Sequence, residues 1–155
     1  MGQVARTDTG GGPALFRLVR FWSRRWPARV AENLTGEQRR VQDIQVLEAV
    51  HAAMDREAGV SVADVAHQLG IDRSGASRFV ADAVEHGFLA RDAALTDARR
   101  AALSITPAGR ELLAQAHAWQ ERMFAELTAG WPERDAAAFA AYLRRLADEL
   151  ADPGQ

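Results

Sequence analysis

Residues 62–84, VADVAHQLGIDRSGASRFVADAV, decide the fold. Apolar residues recur at helical spacing on either side of Gly70, which predicts two short helices joined by a tight turn, a helix-turn-helix. Ile71 fills the turn. The predicted inner face of the first helix consists of Val62, Val65, Ala66 and Leu69, and that of the second of Phe79, Val80, Ala83 and Val84.

The opposite face of the second helix begins with polar and cationic residues, namely Arg73, Ser74, Gly75, Ser77 and Arg78. Backbone N–H groups at a helix start attract anions, arginine binds guanine or phosphate, and serine both donates and accepts hydrogen bonds. Gly75 costs about 1 kcal/mol of helix propensity relative to alanine, which indicates a close approach to a phosphate. The face suits the major groove of DNA, but a plain solvated helix start has the same residue types, and both interpretations stay open.

Capping and breaking residues predict the elements before this stretch. Residues 1–12 are predicted to be a disordered tail. A first helix is expected from Pro13, with Pro27 closing or kinking it. Thr35 and Gln38 form a capping-box pattern at the start of the next helix. The predicted apolar face of that helix consists of Val41, Ile44, Leu47, Val50 and Met54.

A small hairpin is expected after the second helix of the helix-turn-helix. Within the helix-turn-helix, Ser61 is the predicted cap of the first helix and Asp72 that of the second, which is expected to run to about His86. The extended segments FLAR (88–91) and AALSI (101–105) then predict two strands. A helix followed by a hairpin with a charged tip is a winged helix, whose tip arginine suits a narrow minor groove. The candidate residues at the tip of this wing are Arg91, Asp97, Arg99 and Arg100.

Two long helices are predicted to close the chain. Thr106 is the expected cap of the first, with Pro107 in its opening turn, and the last helix follows Pro132. Their apolar stripes consist of Leu112, Leu113, Ala116, Trp119, Met123 and Leu127, and of Phe139, Tyr142, Leu143, Leu146 and Leu150.

From about residue 60 to 127 the chain resembles the MarR (multiple antibiotic resistance regulator) family of bacterial transcription factors. The matching elements are A-x-x-L-G-I-D-R-S at the turn, S-R-x-V in the second helix, E-H-G-F-L at its exit, D-x-R (Asp97, Arg99) in the wing, and S-I-T-P-A-G-R after it. The sequence departs from the family at Gly75 and Ala76, where larger residues are usual, so a base preference does not carry over.

The resemblance implies a mostly α (α+β) fold, a winged helix-turn-helix with N- and C-terminal dimerisation helices. Residues 35–105 would form the winged helix-turn-helix and residues 13–34 and 106–155 the dimerisation helices, all within a single domain, residues 13–155. It implies a homodimeric repressor that binds a palindromic operator in double-stranded DNA. Ser74, Gly75, Ser77 and Arg78 match the family's recognition-helix contacts, and Asp97 and Arg99 match its wing motif.

The family also suggests release from DNA by a small aromatic or phenolic effector. The candidate lining residues are Trp22, Arg25, Trp26, His51 and Met54. Packing in the core or the dimer interface is the alternative role of the tryptophans. The alternative function is a winged-helix module that binds protein without specific DNA binding.

Composition narrows the remaining classes. All 19 basic residues are arginine and the formal net charge is -2, a balance that can hide a basic face beside an acidic body; nucleotide composition bias is the alternative reason for the arginine usage. Cysteine is absent, which excludes disulfides and thiolate metal sites. No apolar run reaches the length of a membrane span, so we expect a soluble cytoplasmic protein. The histidines are scattered singly and no catalytic constellation is visible, so we expect neither a metal, nor a cofactor, nor an enzyme.

Overall fold

The computed structural model describes residues 10–33, 41–54, 59–92 and 102–151. Within these ranges four helices are followed by a two-stranded hairpin and two more helices, which confirms the predicted winged helix-turn-helix with helices on either side. The elements are α1 (Gly11–Asn33), α2 (Val41–Ala52), α3 (Val62–Leu69), α4 (Arg73–Glu85), β1 (Leu89–Asp92), β2 (Ala102–Ile105), α5 (Pro107–Leu127) and α6 (Glu133–Ala151).

The chain divides into two compact units, residues 1–41 and residues 42–155. The winged helix-turn-helix therefore shares a unit with α5 and α6, whereas α1 belongs to the other unit. The single domain predicted for residues 13–155 includes the dimerisation helices, which would interleave with those of a second subunit. It stays a prediction.

Helix α1 begins earlier than predicted and is not closed by Pro27. The carbonyl of Gly10, a residue with φ +69°, accepts a hydrogen bond from the N–H of Ala14 at 3.2 Å, so Gly11 and Gly12 of the predicted disordered tail lie in the helix. The helix also continues through Pro27 to Asn33, so of the two expected effects of Pro27, closing or kinking the helix, closing is wrong. The fixed φ of proline, about -65°, is compatible with a helix, and the good helix formers that follow sustain it despite the lost N–H.

Helix α2 supplies much of the core. Val46, Leu47 and Val50 are fully buried, and the predicted inner positions Ile44, Leu47 and Val50 are confirmed. Met54 was also expected on this face but is 54% exposed. The helix ends at Ala52, and Ala53 and Met54 form a tighter turn in which each N–H bonds to the carbonyl three residues back. The predicted capping box Thr35–Gln38 lies outside the described residues.

The two helices of the helix-turn-helix begin at the predicted caps. The Oγ atom of Ser61 accepts from the N–H of Asp64 at 3.3 Å, and the Asp64 carboxylate accepts from the N–H of Ser61 at 2.8 Å, which is a complete capping box. Gly70 ends α3 in the left-handed conformation, φ +63°, which glycine adopts without strain. The buried residues between α3 and α4 are Val65, Ala66, Ala76, Val80 and Ala83.

The two strands begin and end within one residue of their predicted limits. Strands β1 and β2 pair antiparallel in the register Leu89↔Ile105, and both of these residues are buried. The sequence did not indicate that Val60, before α3, also pairs with β2. The N–H of Leu103 donates to the carbonyl of Val60 at 2.8 Å and forms an isolated antiparallel bridge.

The start of α5 is fastened to the residue before β1. The N–H of Thr106 donates to the carbonyl of Phe88 at 3.0 Å, and its hydroxyl donates to the carbonyl of Gly87 at 2.6 Å. The same hydroxyl caps α5 by accepting from the N–H of Gly109 at 3.1 Å, and Pro107 occupies the first turn, both as predicted. A Cβ atom on Gly109 would overlap the Phe88 carbonyl oxygen and lie 2.9 Å from Cγ2 of Ile105.

We expect the substitution Gly109→Ala to lower the free energy of unfolding by about 1–3 kcal/mol, because a backbone atom cannot yield to the added methyl group. Gly130→Ala is the matched control, since a Cβ at Gly130 meets nothing within 4 Å. Urea unfolding of both variants measures the difference. Equal midpoints would contradict this tight junction.

Candidate nucleic-acid interface

The start of α4 presents a cluster of polar and cationic side chains to solvent. Asp72 caps the helix, its Oδ1 atom accepting from the N–H of Gly75 at 3.0 Å. The exposed residues on the next turns are Arg73, Ser74, Ser77 and Arg78. Four of the five residues predicted for this face are therefore side by side on one surface of α4, which we call the α4 start face.

Gly75 is the exception, because it is buried. A Cβ at this position would lie 2.7 Å from Oδ1 of Asp72, so the glycine leaves room for the helix cap. Room for this cap therefore explains the glycine, and the close approach to a phosphate that was expected is not needed to account for it. The Asp72 carboxylate also accepts from one of the N–H groups that were expected to favour an anion, and its negative charge weakens the attraction of this helix start for an anion.

The exposed surface continues along α4 beyond the predicted residues. Ser74, Arg78, Ala81 and Glu85 follow one another at three- and four-residue spacing, and all are exposed. Ala81 was missed by the sequence analysis, although the helical spacing from Ser74 was the signal that would have found it. A small apolar side chain among polar ones suits contact with a thymine methyl group. The acidic Glu85 ends the stripe.

The wing is described at its base. Arg91 was predicted at the tip but lies within β1, which continues to Asp92; it is exposed and in register with Leu103 of β2. The other predicted tip residues, Asp97, Arg99 and Arg100, lie outside the described residues. The hairpin is joined directly to α4, because the N–H of Phe88 donates to the carbonyl of Ala83 at 2.9 Å and Gly87 turns the chain with φ +81°. Arg91 and the α4 start face thus belong to one connected structure.

The candidate effector residues are distributed over both units. Trp22 lies on α1 and makes an edge-on contact with Phe21, with ring centroids 5.9 Å apart. His51 and Met54 are exposed around the end of α2, in the other unit. The side chains of Arg25 and Trp26 lie outside the described residues. Whether these five residues line one cavity stays a prediction.

The histidines are less scattered than the sequence suggested. The rings of His51 and His117 are 6.0 Å apart, and Nε2 of His117 lies 3.0 Å from both carboxylate oxygens of Glu48. His86 ends α4, as predicted, and its Nδ1 lies 2.9 Å from Oδ2 of the buried Asp43. In the described ranges no three histidine or carboxylate side chains are arranged to hold a metal ion. None of the described helices is long and apolar enough to cross a membrane.

Comparisons with known proteins agree with this architecture. The model of the IclR helix-turn-helix domain matches residues 44–93, from α2 into the segment after β1. No curated protein matches the sequence. The reduced form of MarR from E. coli has 20% identity and a TM-score of 0.65, covering 85% of this chain and 95% of that one.

Two further solved structures are similar over most of their length. Bordetella bronchiseptica BpsR, whose DNA binding is regulated by 6-hydroxynicotinic acid, has 20% identity and a TM-score of 0.61, covering 87% of this chain and 99% of that one. A mutant of S. aureus MepR bound to an oligodeoxyribonucleotide has 17% identity and a TM-score of 0.58, covering 89% of this chain and 96% of that one. The chain has the winged helix-turn-helix fold of the MarR-type regulators.

Asp72 and Gly75 are expected to depend on each other. In the wild-type chain, Gly75→Ala gains helix propensity but disturbs the cap, so we expect little net change in the free energy of unfolding. In an Asp72→Ala background, which itself costs about 1 kcal/mol, Gly75→Ala is expected to stabilise by up to about 1 kcal/mol.

A double-mutant cycle of urea unfolding measures this coupling. Additive effects of the two substitutions would show that the cap does not explain the glycine.

Proposed function

We propose that this chain is a DNA-binding transcriptional regulator of the MarR type that acts as a homodimer. The observation that carries the proposal is the α4 start face, where Arg73, Ser74, Ser77 and Arg78 are exposed together on the second helix of a helix-turn-helix. An α-helix fits the major groove, and arginine and serine are side chains that read base edges or hold phosphates there. The DNA-bound MepR mutant, with the same fold, supports this reading.

The wing supplies a second contact in this proposal. Arg91 at its base would hold a phosphate, and Arg99 at its tip, with Asp97 keeping it extended, would enter the minor groove, next to Arg100. Narrow stretches of that groove concentrate negative potential and attract arginine. Because Gly87 and Phe88 join α4 directly to β1, the two contacts would lie close together on the duplex.

Exposed apolar residues on the last two helices support dimerisation. Phe124, Trp131 and Phe139 form an aromatic cluster that joins α5 to α6, with centroid distances of 6.0 Å and 5.3 Å. Large apolar side chains from the end of α5 to the end of α6 are exposed in the single chain, namely Leu127, Trp131, Tyr142, Leu143, Leu146 and Leu150. Exposed apolar residues in this number are typical of an interface. A two-fold dimer would place its α4 helices about one DNA turn apart, roughly 10 base pairs, which requires a palindromic operator.

Regulation completes the proposal. A repressor released by a small aromatic or phenolic effector would use the candidate residues Trp22, Arg25, Trp26, His51 and Met54. The effector would act by preferring one spacing of the two α4 helices, because a ligand shifts an equilibrium only through differential affinity. BpsR, with the same fold and an aromatic effector, supports this part.

Arg78→Ala is expected to distinguish base reading from phosphate contact. If Arg78 reads a base, affinity for a duplex selected from a random pool falls by about 1–3 kcal/mol while affinity for random duplex changes little. If it contacts a phosphate, the loss is uniform and the salt dependence falls by about one unit of slope.

Fluorescence anisotropy titrations at several salt concentrations measure both quantities. Arg134→Ala is the control, because this exposed arginine lies on α6, outside the winged helix-turn-helix. Its Nε atom is 3.1 Å from Oδ1 of Asp135. Unchanged affinity of Arg78→Ala for every duplex would remove this residue from the interface. Binding of wild type that ignores salt would favour the protein-interaction module instead.

Leu146→Glu is expected to give a monomer. Leu146 is 40% exposed in the single chain, and a carboxylate buried in an interface costs several kcal/mol without a partner. The exposed Ala141 lies about 140° around α6 from it, so Ala141→Glu is the matched control and stays dimeric. Sedimentation equilibrium measures the mass, and a dimeric Leu146→Glu protein would exclude this face from the interface.

A further inference from the structure

The end of α4 is fastened to the start of α2 by two side-chain contacts. The Nδ1 atom of His86 lies 2.9 Å from Oδ2 and 3.1 Å from Oδ1 of Asp43. One residue earlier on α2, the side-chain amide of Gln42 donates to Oδ2 of Asp82 at 2.9 Å. Asp82 and His86 are one helical turn apart, so both contacts lie along the same side of α4.

Burial makes the Asp43 contact costly to break. Asp43 is 2% exposed, whereas the side chain of His86 is 39% exposed. A carboxylate only accepts hydrogen bonds, so Nδ1 carries the proton and donates in either charge state of the ring. Moving α4 relative to α2 would remove a donor from a buried charge, which is strongly unfavourable. The contact therefore resists displacement of α4.

A small tilt at this end of α4 has a large effect at the other. His86 is the C-cap, and the α4 start face lies at the opposite end of a 13-residue helix. A helix of this length spans about 20 Å, so a tilt of about 10° about its C-terminal end moves the first turn by about 3 Å. A displacement of that size breaks hydrogen bonds to base edges, whose geometry is narrow. Long arginine side chains can still follow a phosphate.

We propose that Asp43 and His86 are positioning residues for sequence recognition. Their hydrogen bond fixes the tilt of α4 against α2 and thereby aligns the α4 start face with base edges. This role rests on the proposed function, DNA binding through α4. Loss of the bond lowers discrimination between sequences more than it lowers binding to DNA in general, because phosphate contacts tolerate the tilt.

The test compares affinities for two probes, a duplex selected by the wild-type protein from a random pool and a shuffled duplex of the same composition. We expect His86→Ala to reduce the ratio of the two affinities by about 2- to 30-fold, with affinity for the shuffled duplex nearly unchanged. His86→Asn keeps a side-chain N–H donor near the position of Nδ1 and restores the ratio.

His117→Ala is the matched control. His117 also bonds to a carboxylate of α2, with Nε2 3.0 Å from Oε1 of Glu48, and its side chain is 42% exposed, but it lies on α5. It should leave the ratio unchanged. Asp43→Ala, which removes the acceptor, is the second variant and carries the test should His86→Ala unfold. It lowers the ratio, and a folded double variant with His86→Ala shows no further loss.

Two results would overturn the positioning role in a protein that binds DNA selectively. One is an unchanged ratio in folded His86→Ala and Asp43→Ala, which would make the contact merely structural. The other is an equal loss in His117→Ala, which would mean that discrimination does not depend on the placement of α4. Wild-type protein that binds neither probe, or both equally, would instead reject the proposed function, and the positioning role with it.

Discussion

The winged helix-turn-helix depends on the meeting of two backbones at Phe88 and Gly109. The Phe88 N–H bonds to α4 through the carbonyl of Ala83, and its carbonyl accepts from Thr106 at the start of α5. Gly109 can face that carbonyl only because it lacks a side chain. One residue thus connects the end of α4, the base of the wing and the long helix α5. Because all three elements share this contact, none of them can move far without disturbing the others.

Features set by local chemistry were predictable from the sequence. The caps Ser61, Asp72 and Thr106 each act on an N–H group three residues ahead, so a four-residue window contains the whole interaction. The glycine turns and the two short extended segments of the hairpin are equally local. The α4 start face also followed from helical spacing, and only Gly75 was placed on the wrong side. Gly75 is buried because it packs against the Asp72 cap. Both residues lie within one four-residue window, so this contact was also local.

Contacts between distant residues were not predictable from one sequence. Asp43 and His86 are 43 positions apart, Glu48 and His117 are 69 apart, and Val60 meets Leu103 across the whole helix-turn-helix. No periodicity encodes such pairs, because each side chain is ordinary for its own helix or strand. The effect of Pro27 on α1 was not predictable for a different reason. Proline lowers helix stability without forbidding the helix, so the neighbouring residues decide whether Pro27 ends it.

For binding to DNA, the position of the arginines on α4 matters more than the overall charge of the chain. The net charge of -2 gives no general attraction to a polyanion, and a dimer doubles that negative charge. The Asp72 carboxylate further occupies part of the positive helix end. In the proposed function the arginines of the α4 start face and the wing must therefore supply the attraction from a small area. In that function a cationic edge of this kind would orient the protein as it approaches DNA, because complementary charge steers the encounter.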